Sequence, residues 1–244
     1  MRVGGTNLPN PELLELPSQR LASFAMVADG VGGRAGGEIA SRAAVEAIAR
    51  YATDAMQILL TSDSQDESAF LAVLEAGAAA SHHAVVSQAA ESGGGSATTL
   101  TAVMAVWPNL YVLQVGDSRC YRFRGGTLAQ LTRDQTMAQE LVDSGVLKAD
   151  VAPKTRFAHV LSSSIGGQVT NPVVFKDTML PGDVTLLCSD GLTKHVTDDE
   201  IAKRLANLQS SEQACRTLVD DALAGGGSDN VTVLVLRAIV PGTK

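Results

Sequence analysis

The sequence predicts an α+β domain in which helices cover antiparallel sheets. Two long stretches with apolar residues at helical spacing come first, a block of short β-prone runs separated by tight turns follows, and further helices precede one last β-prone run. Strands in succession rather than in βαβ alternation argue for antiparallel pairing.

Taken in order, the opening MRVGGTNLPNPELLELP is irregular and carries three prolines. LASFAMVADG is an apolar run ending in Asp-Gly, read as a buried strand entering a tight turn, DGVGGRAGG. From Glu38 to about Leu60, the residues Ile39, Ala43, Ile48, Tyr51, Ala52, Ala55 and Leu59 recur at helical spacing. A second helix from Glu67 to about Ala90 carries Phe70, Leu74, Ala78 and Val85 on one side and stops at Gly93-Gly94-Gly95. ATTLTAVMAV, LYVLQVG, SRCYRF and TLAQLT then read as a meander, punctuated by Trp107-Pro108-Asn109, Gly116-Asp117 and Gly125-Gly126.

Asp134 to Ser144 reads as a short helix stopped by Gly145, and the serine-rich, irregular stretch to Gly167 as a surface flap. VTLLCSDG repeats the pattern of an apolar strand ending in Asp-Gly, after which Thr197 and Glu200 form a capping-box pair for DDEIAKRLANL. A further helix ends at Gly225, and GGGSDN leads into the β-prone VTVLVLRAIV. Without an internal repeat or linker, residues 1–244 read as a single domain.

Composition narrows the function. Hydrophobic residues make up 45% and charged residues 18%, a globular balance. A net charge of -7, a pI near 5.1 and no block of Lys or Arg argue against nucleic-acid binding. A phosphate-processing site on such a surface would need local positive potential, most simply from bound cations. The cysteines Cys120, Cys188 and Cys215 are scattered, with no CxxC pair, and read as reduced. The opening has no apolar signal core, and TAVMAVW and VTVLVLRAIV are too short to span a bilayer, so a soluble, cytoplasmic protein without membrane partners is expected.

Three aspartates, Asp29, Asp190 and Asp229, lie far apart in sequence, yet each stands at a glycine-bearing junction beside a buried strand. Each alone reads as a turn residue, since Asp-Gly is among the commonest turn dipeptides. Convergent on one site, these hard oxygen donors favour Mg²⁺ or Mn²⁺ over zinc.

The segments VADGVGGRAGGEIAS, SATTLTAVMAV, LYVLQVGDSRCYRF, LTRDQTMAQELVDSGVL, LLCSDGLTKHVTDDEI and GGSDNVTVLVL resemble, in order and spacing, the metal-dependent serine/threonine protein phosphatases of type 2C, and look most like their short bacterial members. The resemblance covers about residues 21 to 237. It implies an α-β-β-α sandwich of two antiparallel sheets flanked by helices, with the site at one edge. Asp29 would bridge two metal ions with the Gly30 carbonyl as a further ligand, Asp190 and Asp229 would hold the second ion, and Asp117 of VGDSR would help bind a weaker third. Two Mn²⁺ or Mg²⁺ ions about 4 Å apart would activate water for in-line attack on a phosphoserine or phosphothreonine. The implied partners are phosphorylated proteins, substrates of a serine/threonine kinase, and the implied setting is bacterial signal transduction.

The family's amino-terminal arginine and acidic motif are not intact. The nearest fit lays Gly4, Asn7, Asn10, Pro11 and Glu12 over them, with Asn in place of the arginine and Glu12 as the surviving acid behind the metal-bound water. Loss of the arginine removes a bidentate phosphate contact, for which Arg34 is a candidate substitute beside its plainer reading as a solvent-facing residue. Val31 stands where animal members often carry a histidine, leaving the general acid unassigned. His82 and His83 read as surface residues of a helix, His195 as a local packing or capping residue, and His159 as a flap residue within reach of substrate. The alternative function is a catalytically weak pseudophosphatase acting as a phosphoprotein-binding or regulatory module, and a small-molecule phosphohydrolase has less support.

Overall fold

The protein is described from a computed structural model, over residues 22–31, 34–61, 67–92 and 95–239. Strand β1 is Ala22–Val27 and β2 the two-residue Gly30–Val31, followed by helices α1 (Arg34–Thr61) and α2 (Glu67–Ser92). Strands β3 (Ala97–Thr98), β4 (Leu100–Val106), β5 (Asn109–Val115), β6 (Arg119–Arg124) and β7 (Thr127–Gln130) come next. Helix α3 (Met137–Asp143), a 3-10 turn at Ala152–Lys154, and strands β8 (Val173–Thr178) and β9 (Val184–Cys188) lead to α4 (Asp190–Thr193), α5 (Asp198–Ala206), α6 (Ser211–Ala224) and β10 (Val233–Arg237).

The strands form two four-stranded antiparallel sheets, ordered β1-β4-β5-β8 and β10-β9-β6-β7, with β2 paired to β3. The two-residue period of β5 shows how the layers stack. Tyr111, Leu113 and Val115 face the helices, packing with Ile48 of α1 and Phe70 and Leu74 of α2. Leu110 and Val112 point the other way, against Cys120 and Leu187 of the second sheet. On that sheet's far face Tyr121, Leu186 and Cys188 pack against Ile201 and Leu205 of α5 and Leu218 of α6. The result is the α-β-β-α sandwich the resemblance implies. The Phe70 and Tyr111 rings stack at 4.8 Å between their centres, joining α2 to the first sheet.

Several expectations need correction. The strand succession is not one meander: β4 and β5 form a hairpin in the first sheet, whereas β6 and β7 form one in the second. Gly116-Asp117 is therefore a crossover between layers rather than a hairpin turn. Gly125 and Gly126 do form a hairpin turn, both with the positive φ that a two-residue loop between right-twisted strands requires. Helix α1 begins at Arg34, four residues earlier than expected, because the glycines at its start are helical. Strand β8 was not expected: VVFKDT is a short run at a sheet edge that mixes exposed and partly buried residues. Helix α2 holds the stretch Ser68–Ala90, with mean hydropathy 1.4, apolar and long enough to cross a bilayer by length and composition. Here its Phe70, Leu74, Ala78 and Val85 are buried against α1 and the first sheet.

Candidate metal centre

Strand register brings the three acidic turns to one edge. In the first sheet Val27 pairs with Thr101, and Leu100 with Val115, so the end of β1, the start of β4 and the end of β5 lie side by side. In the second, Cys188 pairs with both Arg119 and Val233, which aligns the end of β9 with the starts of β6 and β10. Asp29 follows β1, Asp190 follows β9, Asp229 precedes β10 and Asp117 sits in the crossover from β5 to β6.

Local contacts then fix the turns that carry these carboxylates. The Asp29 amide donates to Thr99 Oγ1 at 2.9 Å, and the Asp29 carbonyl accepts from the Thr99 amide and from Thr98 Oγ1, each at 2.9 Å. Thr99 Oγ1 also lies 2.7 Å from Ser118 Oγ, and Thr101 Oγ1 donates to the Ser118 carbonyl at 2.8 Å, tying the Asp117 turn to the same strand. Gly30 passes so close to α1 that a Cβ there would meet the Gly37 carbonyl oxygen at 2.2 Å. At the second junction a Cβ on Gly191 would meet the Asn230 carbonyl oxygen at 2.2 Å, and Ser189 Oγ donates to that carbonyl at 3.1 Å while accepting from the Thr232 amide at 3.0 Å. This glycine contact brings Asp190 beside Asp229.

The electrostatics mark the cluster. Burial pushes the Asp29 carboxyl up to about 7, helped by the charges of Asp190 and Asp229 and a hydrogen bond shared with Asp190. Asp117 is likewise pushed up to about 7 by burial and by the charges of Asp190, Asp134 and Asp29. Lys194 counters them, its Nζ 2.7 Å from Asp190 Oδ2 and 2.6 Å from Asp229 Oδ2. Burial disfavours the ammonium, but the bonds to both carboxylates outweigh it and raise its pKa above the ordinary lysine value. Burial likewise opposes ionisation of Asp229, yet the Lys194 and Asn230 hydrogen bonds and the charges of Lys194 and His159 hold its carboxyl below the usual range.

The donor set fits hard divalent cations. Asp190 Oδ1 is buried with no hydrogen-bond partner, an uncompensated oxygen of the kind that a metal ion satisfies. Among the described residues no three His, Cys, Asp or Glu side chains are drawn around one point as in a filled centre. The ammonium of Lys194 instead engages Asp190 and Asp229 together.

Of the other candidates, Gly30 adjoins Asp29 at the start of β2, while Glu12 and the neighbouring Gly4, Asn7, Asn10 and Pro11 lie outside the described residues. Arg34 opens α1. The flap is anchored at its root: Ile165 pairs with Thr98, and Leu161 with Thr136. His82 belongs to that anchor rather than to the open surface. Its Nδ1 accepts from the Gly166 amide at 3.1 Å and lies 2.7 Å from Thr170 Oγ1. His83 is exposed. His195 does brace locally, its Nε2 accepting from the Ser228 amide at 3.1 Å in the turn before Asp229. His159 is exposed in the flap, near enough for its charge to act on Asp229.

Sequence reasoning missed Thr99, Ser118 and Lys194. The two hydroxyls pair across distant strands and leave no local pattern. Lys194 is the i+4 partner of Asp190, a spacing that was legible once Asp190 was placed at the start of a helix.

Comparison with known proteins identifies the family and the fold. The family model described as protein phosphatase 2C matches residues 15–225. The chain is 35% identical over 220 residues to the serine/threonine protein phosphatase PstP of Mycobacterium tuberculosis, covering 89% of this chain and 41% of that protein. It is 31% identical over 217 residues to the serine/threonine phosphatase stp of Listeria welshimeri, covering 87% and 83%. The crystal structure of the PstP catalytic domain with two manganese ions superposes with a TM-score of 0.75 at 32% identity, covering 91% of each chain.

Proposed function

The chain belongs to the protein phosphatase 2C family, and from that membership we propose that it hydrolyses phosphoserine and phosphothreonine in proteins with the aid of bound Mn²⁺ or Mg²⁺. The observation that carries this reading is the meeting of Asp29, Asp117, Asp190 and Asp229 at one edge of the sandwich, with a buried Asp190 oxygen lacking a partner.

Asp29 would hold two ions, joined by the Gly30 carbonyl, with Asp190 and Asp229 completing the second position. Asp117, held near Asp29 and Asp190, would serve a weaker third. When bound, the ions supply a water nucleophile at neutral pH and neutralise the phosphoryl oxygens. The chain's part is to fix the carboxylates through Thr99, Ser118, Gly30 and Gly191, and to release protons from Asp29 and Asp117 as cations arrive. Its thiols have no place in the chemistry. Burial pushes Cys188 up to about 12 and raises Cys120 and Cys215 as well, disfavouring a thiolate nucleophile.

The substrates would be proteins phosphorylated by a serine/threonine kinase, in bacterial cytoplasmic signalling. Arg34 is proposed as a phosphate contact and Glu12 as an acid behind the ions. The test is phosphate release from a phosphothreonine peptide as Mn²⁺ is added and then chelated, alongside Asp190→Asn. Saturable, chelator-sensitive release, lowered roughly 10² to 10³-fold or more by Asp190→Asn, is expected. A phosphopeptide bound but not consumed by the metal-loaded protein would overturn the proposal.

A further inference from the structure

Lys194 occupies an unusual position for a lysine. It stands one helical turn beyond Asp190, and its ammonium contacts two carboxylates from separate elements, the head of α4 and the turn before β10. Both contacts are short, and the side chain is 22% exposed. The surroundings explain why it is held there. Four carboxylates converge on this edge, and an ion-free site would otherwise carry their repulsion, least screened at the largely buried Asp29, Asp117 and Asp190 and more so at the exposed Asp229. A divalent ion taken up by Asp190 and Asp229 needs the oxygen lone pairs that the ammonium now engages.

We propose that Lys194 is an internal counter-cation that competes with the divalent ion at the Asp190–Asp229 position and so sets the affinity of that position. The inference rests on the reading of these carboxylates as metal ligands. Two properties suit the residue to the role. Its flexible stem allows the ammonium to swing to solvent without moving the helix. Its two partners lie on opposite sides of the Gly191–Asn230 contact, so in the ion-free protein it holds together the junction that an ion would otherwise bridge. The same lysine would stabilise the empty site and oppose its filling.

The experiment is calorimetric titration of Mn²⁺ into wild type, Lys194→Met, Lys194→Gln and Lys194→Arg, each first freed of metal by chelator, with melting temperatures in chelator as a second readout. One binding step should tighten roughly tenfold or more in the Met and Gln variants, equivalent to about 1.4 kcal/mol, while the other stays within a few-fold. Both neutral variants should melt lower than wild type in chelator and regain the difference with Mn²⁺. Lys194→Arg, which keeps the charge, should stay near wild type in both. Unchanged Mn²⁺ affinity in the neutral variants overturns the competition while leaving the metal site standing. Equal tightening of both steps also overturns it, since that is the effect of a charge acting at a distance. No Mn²⁺ binding by any of the four proteins sinks the metal reading and this inference with it.

Discussion

The backbone amide of Asp29 donates to the side chain of Thr99 across 2.9 Å, and the carbonyl of the same aspartate accepts from the Thr99 amide at the same distance. A residue at the end of one strand is thus clamped from both sides by a residue near the start of its neighbour. Thr99→Val keeps the shape and removes the oxygen that also meets Ser118 Oγ. Leaving that amide and hydroxyl without a partner should cost about 1–3 kcal/mol. Urea denaturation in chelator should read this loss, and Mn²⁺ titration should show weaker binding. Thr99→Ser should recover most of both.

Gly191→Ala should be more damaging than its size suggests. The added carbon meets a backbone carbonyl rather than a yielding side chain, so the Asp190 and Asp229 junctions must separate. A stability loss at or above the roughly 1–3 kcal/mol of ordinary overpacking is expected, together with loss of Mn²⁺ binding. Gly126→Ala is the comparison: φ is +86° but the added carbon meets nothing within 4 Å, so it should cost about 1–2 kcal/mol and leave metal binding intact.

The acid groups of the site predict a pH dependence. Asp29 and Asp117 are pushed up to about 7 from an ordinary 3.8, so between those values the folded protein binds protons that the unfolded chain does not. Their contribution to the ion-free fold is fully present below pH 3.8 and is lost as pH rises toward and through 7. Thermal melts in chelator should therefore show these groups lowering stability as pH rises from about 4 to about 7, with no further loss above that. Because cations displace the same protons, Mn²⁺ affinity should climb by up to about two powers of ten per pH unit below 7 and flatten above it. Calorimetry in buffers of different ionisation enthalpy counts the protons released.

His82 works in the opposite sense. Burial and the neighbouring His83 lower its pKa from 6.5, and its neutral ring accepts the Gly166 amide at the flap root. Protonation removes that acceptor. The contribution to stability is present above the ordinary value and is lost as pH falls from 6.5 toward the lowered one. Hydrogen exchange at the Gly166 amide should speed up on acidification, and His82→Phe should make it fast at every pH while metal affinity stays within a few-fold.

Much of this arrangement was readable in the chain. Asp29 and Asp190 each stand where an apolar strand closes in a turn, and Asp229 in the turn before one, a signal confined to a few residues. The Thr197–Glu200 capping box is equally local, and both of its hydrogen bonds are present. What escaped depends on partners distant in sequence. Whether Gly116-Asp117 turns back within a sheet or steps to another is decided by which strands β5 and β6 go on to pair with. His82 looks like any helix-surface histidine until Gly166, 84 residues later, returns to it.

The crossover at Gly116–Ser118 carries a mechanical consequence. Asp29 hangs from the first sheet, Asp190 and Asp229 from the second, and Asp117 from the strap between them, so the site spans the seam of the sandwich. A slip of one layer against the other would shear the ligands apart while leaving every strand pair intact. If these carboxylates hold cations as proposed, cation affinity would become a gauge of how the two halves are aligned.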